Sequence, residues 1–157
     1  MRVIIVTARD ESMRGATACY LAEHFPTLFA AIERVHMRAA DDFRPSPVVK
    51  AEIIANIANG GPVCCIDDDR ELYAALVEAG VEIDSFVLAP EGWEHLCCAI
   101  HNAPEGLLVC VDFDGTLTTP PAMPDPDFEA FRERILHCPP APLPAAVAAI
   151  REWLEGA

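Results

Sequence analysis

Asp112 and Asp114, two residues apart, stand at the end of the apolar run Leu107-Leu-Val-Cys-Val111 and just ahead of Gly115-Thr-Leu-Thr118. An apolar run of that kind reads as a buried parallel strand, and acids at its carboxyl end sit where an open α/β sheet forms its ligand crevice. Gly115 lets the chain turn sharply, and Thr116 and Thr118 supply hydroxyls beside the acids. The chemistry of this grouping is a carboxylate nucleophile, an acid/base partner and a hard metal ion, all directed at a phosphate.

Three other segments carry groups that suit the same chemistry. Arg2-Val-Ile-Ile-Val-Thr7-Ala-Arg9 is an apolar strand ending in a hydroxyl, Val48-Val-Lys50-Ala-Glu-Ile-Ile places a lysine at the start of an amphipathic helix, and Pro62-Val-Cys-Cys-Ile-Asp67-Asp68-Asp69 is a strand ending in acids. So many carboxylates in one crevice repel each other unless a cation or a proton intervenes. Three consecutive aspartates leave their division of labour open. Asp67 is the preferred direct metal ligand, Asp68 a second or water-mediated one, and Asp69 a cap for a helix starting at Arg70.

The Asp112-Phe-Asp114-Gly-Thr116 pattern resembles the first motif of the haloacid dehalogenase (HAD) superfamily of phosphohydrolases. The Thr7, Lys50 and Asp67-Asp68 segments resemble its second, third and fourth motifs. The first motif normally opens the domain, whereas here it lies near the end, with 39 residues after Thr118. The order second, third, fourth, first is a rotation of the family order, so the chain resembles a circularly permuted HAD domain. Joining Ala145-Ala-Val-Ala-Ala-Ile-Arg-Glu-Trp-Leu-Glu-Gly-Ala157 to Met1 gives helix, glycine, strand and motif, the family's usual passage into its second strand. Permutation costs little when the old termini meet at the surface.

The resemblance implies roles. Asp112 is the nucleophile, Asp114 the general acid and then base, Thr7 a donor to a phosphoryl oxygen, and Lys50 a neutraliser of charge on the phosphate and on Asp112. Asp112, the carbonyl of Asp114, Asp67 and Asp68 resemble an octahedral Mg2+ site. His36-Met-Arg38, Asp42, Arg44, Lys50 and Asp67-Asp68 with Arg70 are similar to the phosphatase domain of polynucleotide kinase-phosphatases. That likeness puts Arg9 and Arg38 near substrate, with Thr116 a further substrate-binding group, and suggests a nucleic acid 3′-phosphate end or a nucleotide as substrate. The departures are a DDDR where DDR is usual, the permuted order, the acidic charge and the lack of a kinase phosphate-binding loop.

The elements that must position these groups alternate along the chain. Strands are expected near 2–7, 33–37, 63–67, 85–88 and 107–112, and helices near 12–24, 47–58, 70–79, 91–101, 127–136 and 143–155. This predicts one domain over 1–157 with an α/β, doubly wound, five-stranded parallel Rossmann-like sheet. Residues 89–106 would return the chain from an edge strand to the central one and hold no obvious chemistry. Proline-rich segments at 119–126 and 138–144 flank a short helix, too small an insert to be a specificity cap. The site should therefore be open and essentially capless.

Composition narrows the partners. Hydrophobic residues make up 52% of the 157, enough for a sizeable core. The formal charge of −14 disfavours broad electrostatic binding to nucleic acid or anionic membrane. Arg34, His36, Arg38, Arg44 and Lys50 could still form a local basic pocket. Seven cysteines without a C-x-x-C point to a reducing, cytoplasmic compartment, and the amino-terminal apolar run is too short for a signal peptide. No membrane partner is expected, and two copies could exchange halves as a homodimer. Two other readings compete: a catalytically silent binding or regulatory module on the same fold, and a phosphorylation receiver. Intact charged motif positions weigh against the first. The order Thr, Lys, acids, Asp-x-Asp weighs against the second.

Overall fold

The computed structural model describes residues 1–120 and 128–156. Its strands are β1 (Arg2–Asp10), β2 (Arg34–Arg38), β3 (Val63–Asp67), β4 (Ile83–Leu88) and β5 (Leu108–Val111). They form one sheet in the order β2-β1-β5-β3-β4, and every pairing is parallel. The last strand in the chain therefore lies at the centre, reached from the β4 edge through residues 89–107.

The short apolar runs become strands because their side chains can be buried on both faces. Val3, Ile5, Ile66, Val109 and Val111 pack with Leu21, Leu28, Leu96 and Ile150. The alternate residues Ile4, Val6, Cys65, Leu108 and Cys110 pack with Ala51, Ile54, Leu72 and Leu76. Strand alternation puts these two clusters on opposite faces. One face thus carries α1 (Arg14–His24), α2 (Pro26–Ala31), α5 (Leu96–His101) and α7 (Pro144–Glu155). The other carries α3 (Ser46–Ala58) and α4 (Glu71–Glu78). This is a Rossmann-like α/β architecture, in which truncating a fully buried residue such as Leu72 or Leu76 costs about 2–5 kcal/mol.

Several details depart from the sequence-based expectation. The helix α2 was not expected; it restarts the chain directly after α1 with Pro26 in its first turn, where the missing N–H costs nothing. The segment expected as one helix over 91–101 is a 3-10 turn, Glu91–His95, followed by α5. The strand β1 runs on to Asp10, with a register irregularity against β2 between Thr7 and Asp10. The helix expected near 127–136 is α6 (Phe128–His137). Asp127 and most of the expected 119–126 loop lie outside the described residues.

Three of the seven cysteines, Cys64, Cys65 and Cys110, are buried. Cys65 and Cys110 are neighbours across β3 and β5, and burial raises both thiols above their ordinary range. They act as small hydrophobes. Among the described residues no helix is long and apolar enough to cross a membrane.

Candidate metal site

The sheet register assembles the site. Val111 is level with Ile5 of β1 and with Ile66 of β3. The next residue, Asp112, leaves the strand with its amide donating to the Ile66 carbonyl at 2.9 Å, which brings it beside Asp67. Lys50 reaches the same point from α3. It lies one turn ahead of Ile54 on the face buried against the sheet, so its stem is covered and its ammonium emerges at the strand ends.

Lys50 Nζ lies 2.8 Å from Asp67 Oδ2 and 2.8 Å from Asp112 Oδ1. All three groups are buried, at 4%, 1% and 4% exposure. The other oxygen of Asp112 accepts the Thr116 hydroxyl at 3.0 Å, and that hydroxyl lies 3.3 Å from Asp68 Oδ1. Thr116 is itself held by its carbonyl, which accepts the indole N–H of Trp93 at 2.9 Å. The segment 89–106, expected to hold no chemistry, thus buttresses the site through Trp93.

Asp67, Asp68 and Asp112 each offer a carboxylate oxygen, and these atoms lie within 4.8 Å of one another. Asp67 and Asp112 form a buried floor, and Asp68 faces solvent. Burial and repulsion from Asp112 push Asp67 up to about 7, against the pull of Lys50. Partial burial and Asp112 push Asp68 up to about 6. Burial alone would lower Lys50, but the carboxylates of Asp112 and Asp67 outweigh it and hold the amine protonated. With all three carboxylates ionised, one ammonium leaves two negative charges in a partly desolvated pocket. A hard divalent cation with oxygen ligands fits that deficit. The cluster could therefore hold a metal ion.

Gly115 makes room for this arrangement. Its φ of +78° is a left-handed conformation, and a Cβ there would clash with the Asp68 carboxylate, lying 2.8 Å from its Cγ. Asp69 contributes its amide, which donates to Asp67 Oδ1 at 2.9 Å, while its own Oδ1 accepts the amide of Glu71, the first residue of α4, at 2.9 Å.

Asp114 has a different partner. Arg9 donates to it through two bonds, Nε to Oδ2 at 2.8 Å and Nη2 to Oδ1 at 2.7 Å. The guanidinium is buried, lies 4.2 Å above the Phe113 ring, and gives a third bond to Thr17 at 3.2 Å. Arg9, expected near substrate, is thus forked onto the second aspartate, and Asp114 is not among the carboxylates that gather at Asp67, Asp68 and Asp112. Thr7 is buried at the same edge; its hydroxyl oxygen accepts the Arg9 amide at 3.2 Å, which leaves its own proton to donate.

Arg38 is not brought into the acidic cluster. Its Nη1 donates to the carbonyls of Asp42 and Arg44 at 3.1 and 3.0 Å, and Arg44 is forked onto Asp42 and paired with Glu52. Burial and nearby arginines lower His36, which disfavours its charged form. The expected basic pocket therefore divides, with Lys50 among the acids, Arg34 and Arg38 on β2, and Arg44 on the loop that follows it. Sequence reasoning passed over Trp93 and Thr17, neither of which has a local signal; both act through partners distant in the chain. No family model, curated protein or solved structure matches this chain.

Proposed function

We propose that this chain is a magnesium-dependent phosphomonoester hydrolase of the HAD type with a permuted element order, working through an aspartyl-phosphate on Asp112. The observation that carries the reading is the convergence of Asp112, Lys50, Asp67 and Asp68 at one sheet edge, from three segments far apart in sequence. Strand order supports the permutation. Counting β5 as first turns β2-β1-β5-β3-β4 into 3-2-1-4-5, an order in which ligands bind at the carboxyl ends of the central strands.

Each residue has a definable task. Lys50 and Thr116 hold one oxygen each of Asp112, fixing the carboxylate for attack on phosphorus. A bond forms from that carboxylate to phosphorus as the ester P–O bond breaks, and Asp114 supplies the proton to the leaving oxygen. Asp114 then takes a proton from the water that hydrolyses the acyl phosphate. Each Asp114 oxygen gives one lone pair to the Arg9 fork and keeps a second, which can carry the proton of this step while the fork orients the carboxyl. Arg9 is thus a positioning residue. Thr7 donates to a phosphoryl oxygen, and Lys50 offsets the charge that accumulates in transfer. Asp67, Asp68 and Asp112 would hold Mg2+, which supplies charge neutralisation for the bound phosphate.

The substrate class we favour is a nucleic acid 3′-phosphate end or a nucleotide. All seven cysteines are free, which suits a reducing cytoplasm. The test is hydrolysis of an aryl phosphate and of a 3′-phosphorylated oligonucleotide by the wild type and Asp112→Asn, with and without magnesium. Magnesium-dependent turnover lost in the variant, with preference for the oligonucleotide, is expected. Equal turnover by wild type and variant would refute the assignment.

A further inference from the structure

The loop 39–45 joins β2 to α3 and leaves the sheet at the carboxyl edge, the edge that carries Asp67, Asp112 and Thr7. It is a constrained loop. Arg38 binds the carbonyls on either side of Phe43, those of Asp42 and Arg44. Asp42 accepts the Arg44 amide at 3.1 Å and its guanidinium at 2.8 and 3.0 Å, and Glu52 of α3 anchors Arg44 at 2.7 Å. The residue held between these ties is Phe43, 80% exposed, the most exposed large hydrophobic among the described residues. Water-exposed phenyl surface is unfavourable, and nothing in these ties requires an aromatic ring at that position.

We infer that Phe43 is a stacking platform for a nucleobase of the substrate whose phosphate lies at Asp112. This deepens the phosphatase reading and rests on it. Three chain links from Phe43 to Ser46 and four helical residues to Lys50 bound their Cα separation at roughly 17 Å, within the reach of a short single-stranded end. Charge confines recognition to contacts that do not depend on it. A chain of net charge −14 gains little from tracking a phosphate backbone, whereas stacking is uncharged and tolerates any base. The substrate class is therefore a phosphorylated end with an unpaired base, as opposed to phosphate esters in general.

The test compares a short 3′-phosphorylated oligothymidylate with the same molecule made abasic at its last residues. In wild type the ratio of the two kcat/KM values favours the base-bearing end. In Phe43→Ala that ratio falls about five-fold or more, and Phe43→Trp keeps it. A wild-type ratio near one, or an unchanged ratio in Phe43→Ala, overturns the platform. Absence of turnover on either substrate, and on glycerol phosphate, overturns the phosphatase reading instead. Fluorescence then decides the platform by itself. Emission from Phe43→Trp, corrected for Trp93 and Trp153 with wild type, should be quenched by the base-bearing oligonucleotide and not by its abasic counterpart; equal response to both overturns it.

Discussion

Replacing Lys50 with Met keeps most of the buried stem and removes the ammonium that pairs with Asp67 and Asp112. The loss can be sized from the site. Removing one member of a buried ion pair typically costs about 3–5 kcal/mol, because the partner is left charged and dry. Here two buried partners, Asp67 and Asp112, lose their counterion, but Asp67 can take up a proton and Asp68 faces solvent. We therefore expect the lower end, about 3 kcal/mol at pH 8 without divalent cation. For a chain of 157 residues that is a fall in Tm of about 6–12 °C.

The pH dependence gives the sharper test. Asp67 is raised in the folded state to about 7, above its unfolded range, so between about 4 and 7 the folded chain holds a proton that the unfolded chain has lost. Stability contributed by that proton is present at low pH and is lost as pH rises through the folded value. Lys50→Met removes the pull that restrains Asp67, so its proton is held to still higher pH. The deficit should be small at pH 5, where a proton stands in for the ammonium, and large at pH 8. Thermal unfolding followed by circular dichroism in chelator at pH 5, 6.5 and 8 reads this directly. A deficit that does not change with pH, or no deficit at pH 8, would refute the reasoning.

Two further outcomes follow from the same geometry. Millimolar magnesium should raise the wild-type Tm more at pH 8 than at pH 5, because Asp67 and Asp68 must be deprotonated to bind it, and Asp68→Asn should reduce the shift; equal shifts at both pH values would count against the cluster as the site. Arg9→Met should cost about 1–3 kcal/mol in chemical denaturation, and Arg9→Lys should recover little of it, since an ammonium cannot make the two-bonded fork to Asp114; full recovery would show that charge alone suffices.

Much of the framework was legible because burial on both faces leaves an unmistakable pattern. The runs ending at Thr7, Asp67 and Asp112 are continuous and apolar, and each begins or ends within a few residues of the strand observed. The strand β4 was harder. It lies at the edge and is only partly covered, and Asp84 interrupts its apolar signal, so the sequence places its start near 85 where the strand begins at Ile83. The helix α2 was hidden because Phe25-Pro26 reads as a stop, while Pro26 in fact occupies a first helical turn. In the site, residue types at strand ends announced Asp112 and Asp67, since acids after apolar runs have few structural uses, whereas Lys50 on α3 was singled out only by its likeness to the third HAD motif. Partner choice was not announced. Arg9 and Asp114 are 105 positions apart, and only the folded sheet shows that the arginine serves the aspartate. Trp93 carried no signal beyond its hydrophobicity, yet its indole fixes Thr116.

The central claim is that Asp112 becomes covalently phosphorylated. The direct measurement is rapid acid quenching of the protein with magnesium and a 3′-phosphorylated oligonucleotide, borohydride reduction of any acyl phosphate, and tandem mass spectrometry of the peptide spanning residues 107–120. The account predicts homoserine at position 112, dependent on substrate and absent without it. Steady turnover with Asp112 unmodified at every quench time, or with the modification at another residue, would contradict it.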